Sequence, residues 1–391
     1  MVYEEAEALL QEMLAPLTAE QFFDSVGRAF LEVKGGADHP RRRLFGDNPK
    51  TTVLNAFGTH ASELDCHSES PKQPPPQARA VSTSDEFLKL IESFHDRGYT
   101  VRVPDVLPLS PKLQRVARAL ECLLHQPVGC SLFWSRAGAK AAVHYDKRDN
   151  IIVQLEGRKR WFISSDPPGL QNNWQQVGEP LPHLQRHRVV DVEPGDLIYI
   201  PRGTPHTVES TTDSLHLAIL FVPLTLRDAI IAAVDRLSDS DRAFRETAVG
   251  RMRAADIAAL TATISAGVSS VLAHCRTDAF VESALQLRSS RMIADLPALP
   301  KPQAPPRSIT RETRVRQSPL AICDLRSSFG SLDFSQPGGH VAVHPGVEPE
   351  LRFIGSTASL RVRDIPGQSS DEVKLALVAR LIASGFLEVP D

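Results

Sequence analysis

Apolar positions recur every three or four residues early in the chain, every second residue through its middle, and at helical spacing again toward its end. Residues 4–13 and 18–32 read as short amphipathic helices, and Thr18 stands before Gln21 at capping-box spacing. A further helix starts in "TSDE", where Thr83 caps and Glu86 reaches back, with Phe87, Leu88, Ile91 and Phe94 on its apolar face. Residues 111–125 predict another. From about residue 128 the period shortens: "SLFWS", "AAVHYD", "NIIVQL", "KRWFI", "HRVVDV", "DLIYI", "HTVES" and "LHLAILF" are β-like runs punctuated by glycine and proline. Their number and short connections favour an antiparallel sandwich or barrel, such as a double-sheeted jelly roll, over a parallel nucleotide-binding fold.

After Pro223 the pattern turns helical, over roughly 225–236, 239–248, 252–273 and 276–294, with enough alanine and leucine for a bundle or a subunit interface. "DLPALPKPQAPPRS" at 295–308 marks a boundary. Beyond it, strand-like pieces precede "SSDEVKLALVARLIASGF". There Ser369 and Glu372 fit a capping box, Val373, Leu377, Val378, Leu381 and Ile382 form an apolar face, and Gly385 ends the helix before "FLEV". This is the pattern of a small winged-helix-like α+β domain.

Two stretches lack periodicity. "HPRRRLFGDNPK" reads as an exposed connection with Arg41 to Arg43 on a solvated face, and the proline-rich residues 66–84 read as a mobile loop or linker. Forty-four basic against 47 acidic residues leave a net charge of −3 over 391 residues, which gives no electrostatic case for nucleic-acid or membrane-surface binding. The acidic start "MVYEEAEALLQEM" is not a secretion signal, and no uninterrupted apolar segment of spanning length is expected, so a cytoplasmic protein is the default. The five cysteines show no CxxC pair, consistent with ordinary reduced thiols.

Candidate chemistry is concentrated in "HYDKRDNIIVQLEGRKRW". His144 and Asp146, two positions apart on a β-like run, share a face. His206 ends the constrained connection in "GDLIYIPRGTPH", which is able to return it to that pair. Two imidazoles and one carboxylate suit Fe(II) with open positions, while structural hydrogen bonding by the same residues is the alternative. Lys159 projects either into an apolar cavity, where it would pair with a dicarboxylate, or to the surface as a snorkelling side chain; Trp161 shares its face.

Taken together, "HYDKRDNIIVQLEGRKRWFI" and "VEPGDLIYIPRGTPHTVES" resemble the JmjC, or cupin-type, 2-oxoglutarate oxygenases, particularly their ribosomal-protein hydroxylase branch. The resemblance implies a mainly β core, a double-stranded β-helix (jelly roll, cupin) holding Fe(II), with 2-oxoglutarate and O2 as cosubstrates. It maps the metal ligands onto His144, Asp146 and His206 and the cosubstrate anchor onto Lys159. Ser131 would offer 2-oxoglutarate a hydroxyl, or else make a sheet hydrogen bond. "MLAPLTAEQFFDSVGRAF" resembles the family's N-terminal lead-in, the helices after 223 its dimerisation region, and the segment after 315 its winged-helix-like domain. The implied boundaries are 1–223 for the oxygenase domain, 224–298 for a helical region joining a homodimer, and 309–391 for the terminal domain. The implied substrate is a protein or peptide, with a ribosomal protein as candidate, and neither a membrane nor direct nucleic-acid contact is expected. "CSLFWSRAGAKAAVHYD" departs from the family's asparagine- and tyrosine-containing strand, which leaves the target residue open. N-methyl demethylation and a non-catalytic, metal-containing cupin scaffold are the competing readings.

Overall fold

In the computed structural model, which describes residues 1–36, 38–170, 184–248, 256–302, 308–328 and 330–390, the chain divides into two compact units. One is Tyr3–Pro223; the other is Leu224–Asp391 together with Met1–Val2.

The first unit begins with helices α1 (Tyr3–Leu14) and α2 (Ala19–Ser25), and includes α3 (Pro49–Asn55), α4 (Phe57–His60), α5 (Ser84–Asp96) and α6 (Pro111–Leu124). Its strands are β1 (Leu31–Val33), β2 (Asp65–His67), β3 (Thr100–Val103), β4 (Gly129–Ser135), β5 (Asp149–Glu156), β6 (Lys159–Ser164), β7 (His187–Val192), β8 (Leu197–Ile200), β9 (His206–Ser210) and β10 (Ser214–Phe221). They form a seven-stranded sheet, β1-β8-β5-β10-β4-β3-β2, and a three-stranded sheet, β7-β6-β9. Every pairing is antiparallel, giving the cupin-like double-stranded β-helix.

Strand alternation decides which side chains meet which layer. Ile151, Val153 and Leu155 of β5, Leu132 and Trp134 of β4, and Leu215, Leu217 and Ile219 of β10 join Leu10, Phe22, Phe87, Ile91 and Leu120 in one core with the helices. Each such side chain contributes about 1.5–3 kcal/mol. Ile152, Ile198 and Ile200 turn the other way and pack against Trp161, Ile163, Val190 and Val192 of the small sheet. Asn150 and His216, which line a cavity, and Ser135, which bonds Lys159, belong to this inner face.

Several expectations change here. The Thr18–Gln21 capping box is present, but its helix stops at Ser25 rather than 32: Gly27 is left-handed (φ +69°), and Leu31–Val33 pairs with β8 as a strand. Arg41 is not on a solvated face. It is 1% exposed, and its guanidinium donates to the carbonyls of Met13, Ala15, Val33 and Gly195. The 66–84 stretch is pinned, because Lys72 N donates to Arg97 O (2.9 Å), Tyr99 Oη to Gln73 O (3.0 Å) and Glu69 N to Lys140 O (2.8 Å), while Ala78 and Val81 pack on the core. "AAVHYD" is not a continuous strand; within it only His144 forms a bridge, opposite His206, and Lys140 just before it forms another, opposite Glu209.

The second unit contains α7 (Leu226–Ser240), α8 (Ile257–His274), α9 (Asp278–Asp295), α10 (Glu348–Ser356) and α11 (Asp371–Ala383). Its strands β11 (Arg314–Gln317), β12 (Asp324–Ser328), β13 (Ser331–Gln336), β14 (Gly339–Val343), β15 (Ser359–Arg361) and β16 (Leu387–Glu388) make two small sheets, β15-β11-β16 and β12-β13-β14. Val315, Phe334, Ile354, Val378, Leu381 and Phe386 share its core. The helix expected at 239–248 is instead a short 3-10 turn at Arg242–Arg245, where it is described, and residues 252–255 of the next expected helix lie outside the described residues. Ser370, not Ser369, caps α11: its hydroxyl accepts from Val373 N, while Ser369 N donates to Glu350 Oε1 (3.1 Å). Contrary to expectation, α8 is long and apolar enough to cross a membrane, and none of it is buried. Its hydroxyls escape a simple count of polarity: Thr261, Thr263, Ser265 and Ser269 each donate to the carbonyl four residues back.

Candidate metal centre

His144 and His206 face each other across an antiparallel bridge closed by reciprocal bonds, His144 N to His206 O (3.0 Å) and His206 N to His144 O (2.7 Å). Their ring centroids are 4.4 Å apart. The "PRGTPH" turn brings the third group into place, since Gly203, at φ +76°, donates its N–H to Asp146 O (2.8 Å). Donor atoms of His144, Asp146 and His206 all lie within 4.8 Å of one another, with His206 Nε2 3.7 Å from Asp146 Oδ2.

The surroundings orient these donors. His144 Nδ1 bonds Ala142 O (2.8 Å) and His206 Nδ1 bonds Thr204 O (2.9 Å), so each Nδ1 carries a proton and the lone pair of each neutral ring falls on Nε2. Asn150 Nδ2 donates to Asp146 Oδ2 (3.1 Å). Burial, reinforced by neighbouring His144, pushes the His206 pKa down to about 4 and keeps its imidazole neutral, the form that binds a metal.

The same cavity, about 470 Å³, reaches Lys159. Lys159 opens β6 and is 2% exposed; its Nζ donates to Ser135 Oγ (2.8 Å), which is 3.0 Å from Thr100 Oγ1. No carboxylate pairs with it among the described residues, and burial alone lowers its pKa to about 7. An ammonium buried on one hydroxyl is costly unless an anion joins it. Trp161 and His216 wall the space, 5.7 Å between ring centroids, and Phe133 stacks on His216 at 4.9 Å. Ser131 does not line the cavity. Its hydroxyl accepts from Arg102 Nε (3.1 Å), a cross-strand bond from a side chain that does line the cavity.

Asn150, Ser135, Thr100, His216 and His67 also belong to this site without having been singled out in the sequence. Only Asn150 carried a signal, as a polar residue directly before the apolar Ile151–Val153.

Residues 106–228 match the family described as JmjC domain. The chain is 33% identical over 138 residues to ribosomal oxygenase 2 of Rattus norvegicus, covering 34% of this chain and 30% of that protein. It is 27% identical over 232 residues to the bifunctional lysine-specific demethylase and histidyl-hydroxylase NO66 of Dictyostelium discoideum, covering 55% of this chain and 43% of that protein. The chain thus spans less than half the length of these curated relatives. Among solved structures, the ribosomal oxygenase YcfD of Escherichia coli, in complex with cobalt and succinic acid, shares the fold at a TM-score of 0.54 and 16% identity, covering 96% of this chain and 99% of that one.

Proposed function

We propose that the chain, whose residues 106–228 match the JmjC domain family, is an Fe(II)- and 2-oxoglutarate-dependent dioxygenase that hydroxylates an amino-acid side chain of a protein or peptide. The observation that carries this reading is the joining of two features in one cavity: a convergent two-histidine, one-carboxylate donor set, and a buried ammonium lacking a counter-ion among the described residues. A structural metal would not need the second feature. The names of the relatives, and the cobalt and succinic acid held by YcfD, agree with it.

His144, Asp146 and His206 would hold the metal, and the far carboxylate of 2-oxoglutarate would pair with Lys159 and Ser135. Iron bound there supplies oxidation by O2, in which 2-oxoglutarate is decarboxylated to succinate and one oxygen atom enters a substrate C–H bond. The chain's own residues fix the geometry. The Ala142 and Thr204 carbonyls set the imidazole tautomers, Asn150 orients the Asp146 carboxylate, and Phe133, Trp161 and His216 wall the cavity that Lys159 shares.

A ribosomal protein is the first candidate substrate. Five free cysteines favour a reducing compartment, hence the cytoplasm. The exposed stripes Leu226, Ile230 and Val234 on α7 and Ile264, Val268 and Leu272 on α8 favour a homodimer, to be read by sedimentation of the full chain.

The deciding experiment is anaerobic reconstitution with Fe(II), then aerobic turnover on candidate proteins with succinate and fragment-mass readouts. Succinate formed in step with one added oxygen supports hydroxylation. Loss of a methyl group with formaldehyde supports demethylation instead, and metal and cosubstrate binding without substrate-dependent succinate favours the scaffold. Asp146→Ala should lower metal affinity and succinate production at least about 100-fold; full turnover with full metal occupancy would reject its role as a ligand.

A further inference from the structure

The mouth of the cavity carries a charge excess that the oxygenase reading does not use. Lys147 and Arg148 occupy the bend between Asp146 and β5, and both line the cavity. Neither forms an ion pair among the described residues. A third lining cation, Arg102, is already matched by Asp65 (3.4 Å). Asp146 is the sole carboxylate among the described lining residues.

Loading the centre does not change this imbalance. The divalent metal and the Lys159 ammonium are offset by the Asp146 carboxylate and the two carboxylates of the cosubstrate. Lys147 and Arg148 therefore remain as surplus positive charge beside the opening through which a side chain must enter. Arg148 is exposed and Lys147 half-exposed, so neither is committed to the core.

We infer that the segment presented to this cavity is an acidic stretch of polypeptide, with Asp or Glu beside the modified residue held by Lys147 and Arg148. The inference rests on the oxygenase reading of the same site and narrows its substrate class. Exposed charge of this kind selects between partners of opposite sign and adds a salt-sensitive increment to binding. The two cations would read flanking residues, while Phe133, Trp161 and Leu220 face whatever enters deeper.

The test uses the full chain loaded with manganese and 2-oxoglutarate without oxygen. Two pools of fluorescent peptides with randomised centres, one flanked by Asp and Glu and the other by Lys and Arg, are titrated by anisotropy. The acidic pool should bind about tenfold more tightly, and the difference should shrink with added salt. Neutralising both cations (Lys147→Gln with Arg148→Gln) should abolish the preference, and reversing them (Lys147→Glu with Arg148→Glu) should invert it. Equal binding, no binding by either pool, or a preference that survives charge reversal would overturn the inference. Turnover of the same pools with iron separates the two readings. Charge-dependent binding without succinate leaves the acidic preference standing and removes the oxygenase, whereas oxygen added mainly to the basic pool does the opposite.

Discussion

Arg41, in the turn after β1, and Lys159, at the start of β6, are buried to nearly the same degree, at 1% and 2% exposure. Their surroundings differ completely. The Arg41 guanidinium is spent on four carbonyls brought from three separate parts of the unit, so its charge is solvated by the fold itself. Lys159 has a single hydroxyl and an open cavity ahead of it. A buried cation that serves structure arrives with its acceptors; one that serves a ligand is left short of them.

Of the two, Arg41 is the position where substitution should cost the fold more. Arg41→Met keeps the volume but strands the carbonyls of Met13, Ala15, Val33 and Gly195. Unfolding by denaturant should show a loss of about 3–5 kcal/mol. A loss under about 1 kcal/mol would mean that water replaces the guanidinium and that Arg41 is no structural hub.

Lys159→Met sharpens the contrast from the other side. Removing an under-partnered buried charge should leave the stability of the cosubstrate-free protein unchanged or raised. The 2-oxoglutarate concentration for half-saturation should rise about thirty-fold or more, read by titration of the metal-loaded protein. A variant that unfolds like Arg41→Met, with cosubstrate affinity intact, would make Lys159 structural as well.

These two residues also show what the sequence can carry. The paired spacing of His144 and Asp146, and the turn chemistry of "PRGTPH", are local features, so the region that brings the three donor groups together was legible in the residues alone. The runs that became β4 to β10 were legible for the same reason, with boundaries within a residue or two for most. Arg41 was not, because three arginines in a turn look solvated unless one knows that Gly195, far along the chain, turns a carbonyl toward them. His216 was hidden by its strand: in "LHLAILF" both faces are buried, so alternation gives no contrast between core and cavity. The 66–84 stretch failed differently. Its composition cannot build a core, yet backbone groups of Lys72 and Glu69 find partners at Arg97 and Lys140 and hold it down.

The smallest effect is the most specific to the Lys159 side of the comparison. Burial lowers its pKa from 10.5 to about 7, whereas the unfolded chain keeps the ordinary value. Between those two values the unfolded state binds more protons, so stability of the empty protein rises with pH across that window; below it the cost of the buried charge is fully present. Cosubstrate binding has the opposite sign, because the incoming carboxylate needs the ammonium and must recruit a proton wherever the free lysine is neutral. Affinity for 2-oxoglutarate should therefore fall about fivefold on going from pH 7 to about pH 8, with proton uptake visible as a dependence of the binding heat on buffer ionisation. Lys159→Met should erase both the slope and the buffer dependence, leaving weak binding that ignores pH. If the wild-type slope persists in that variant, another group supplies the proton, and the under-partnered lysine is not what receives the dicarboxylate.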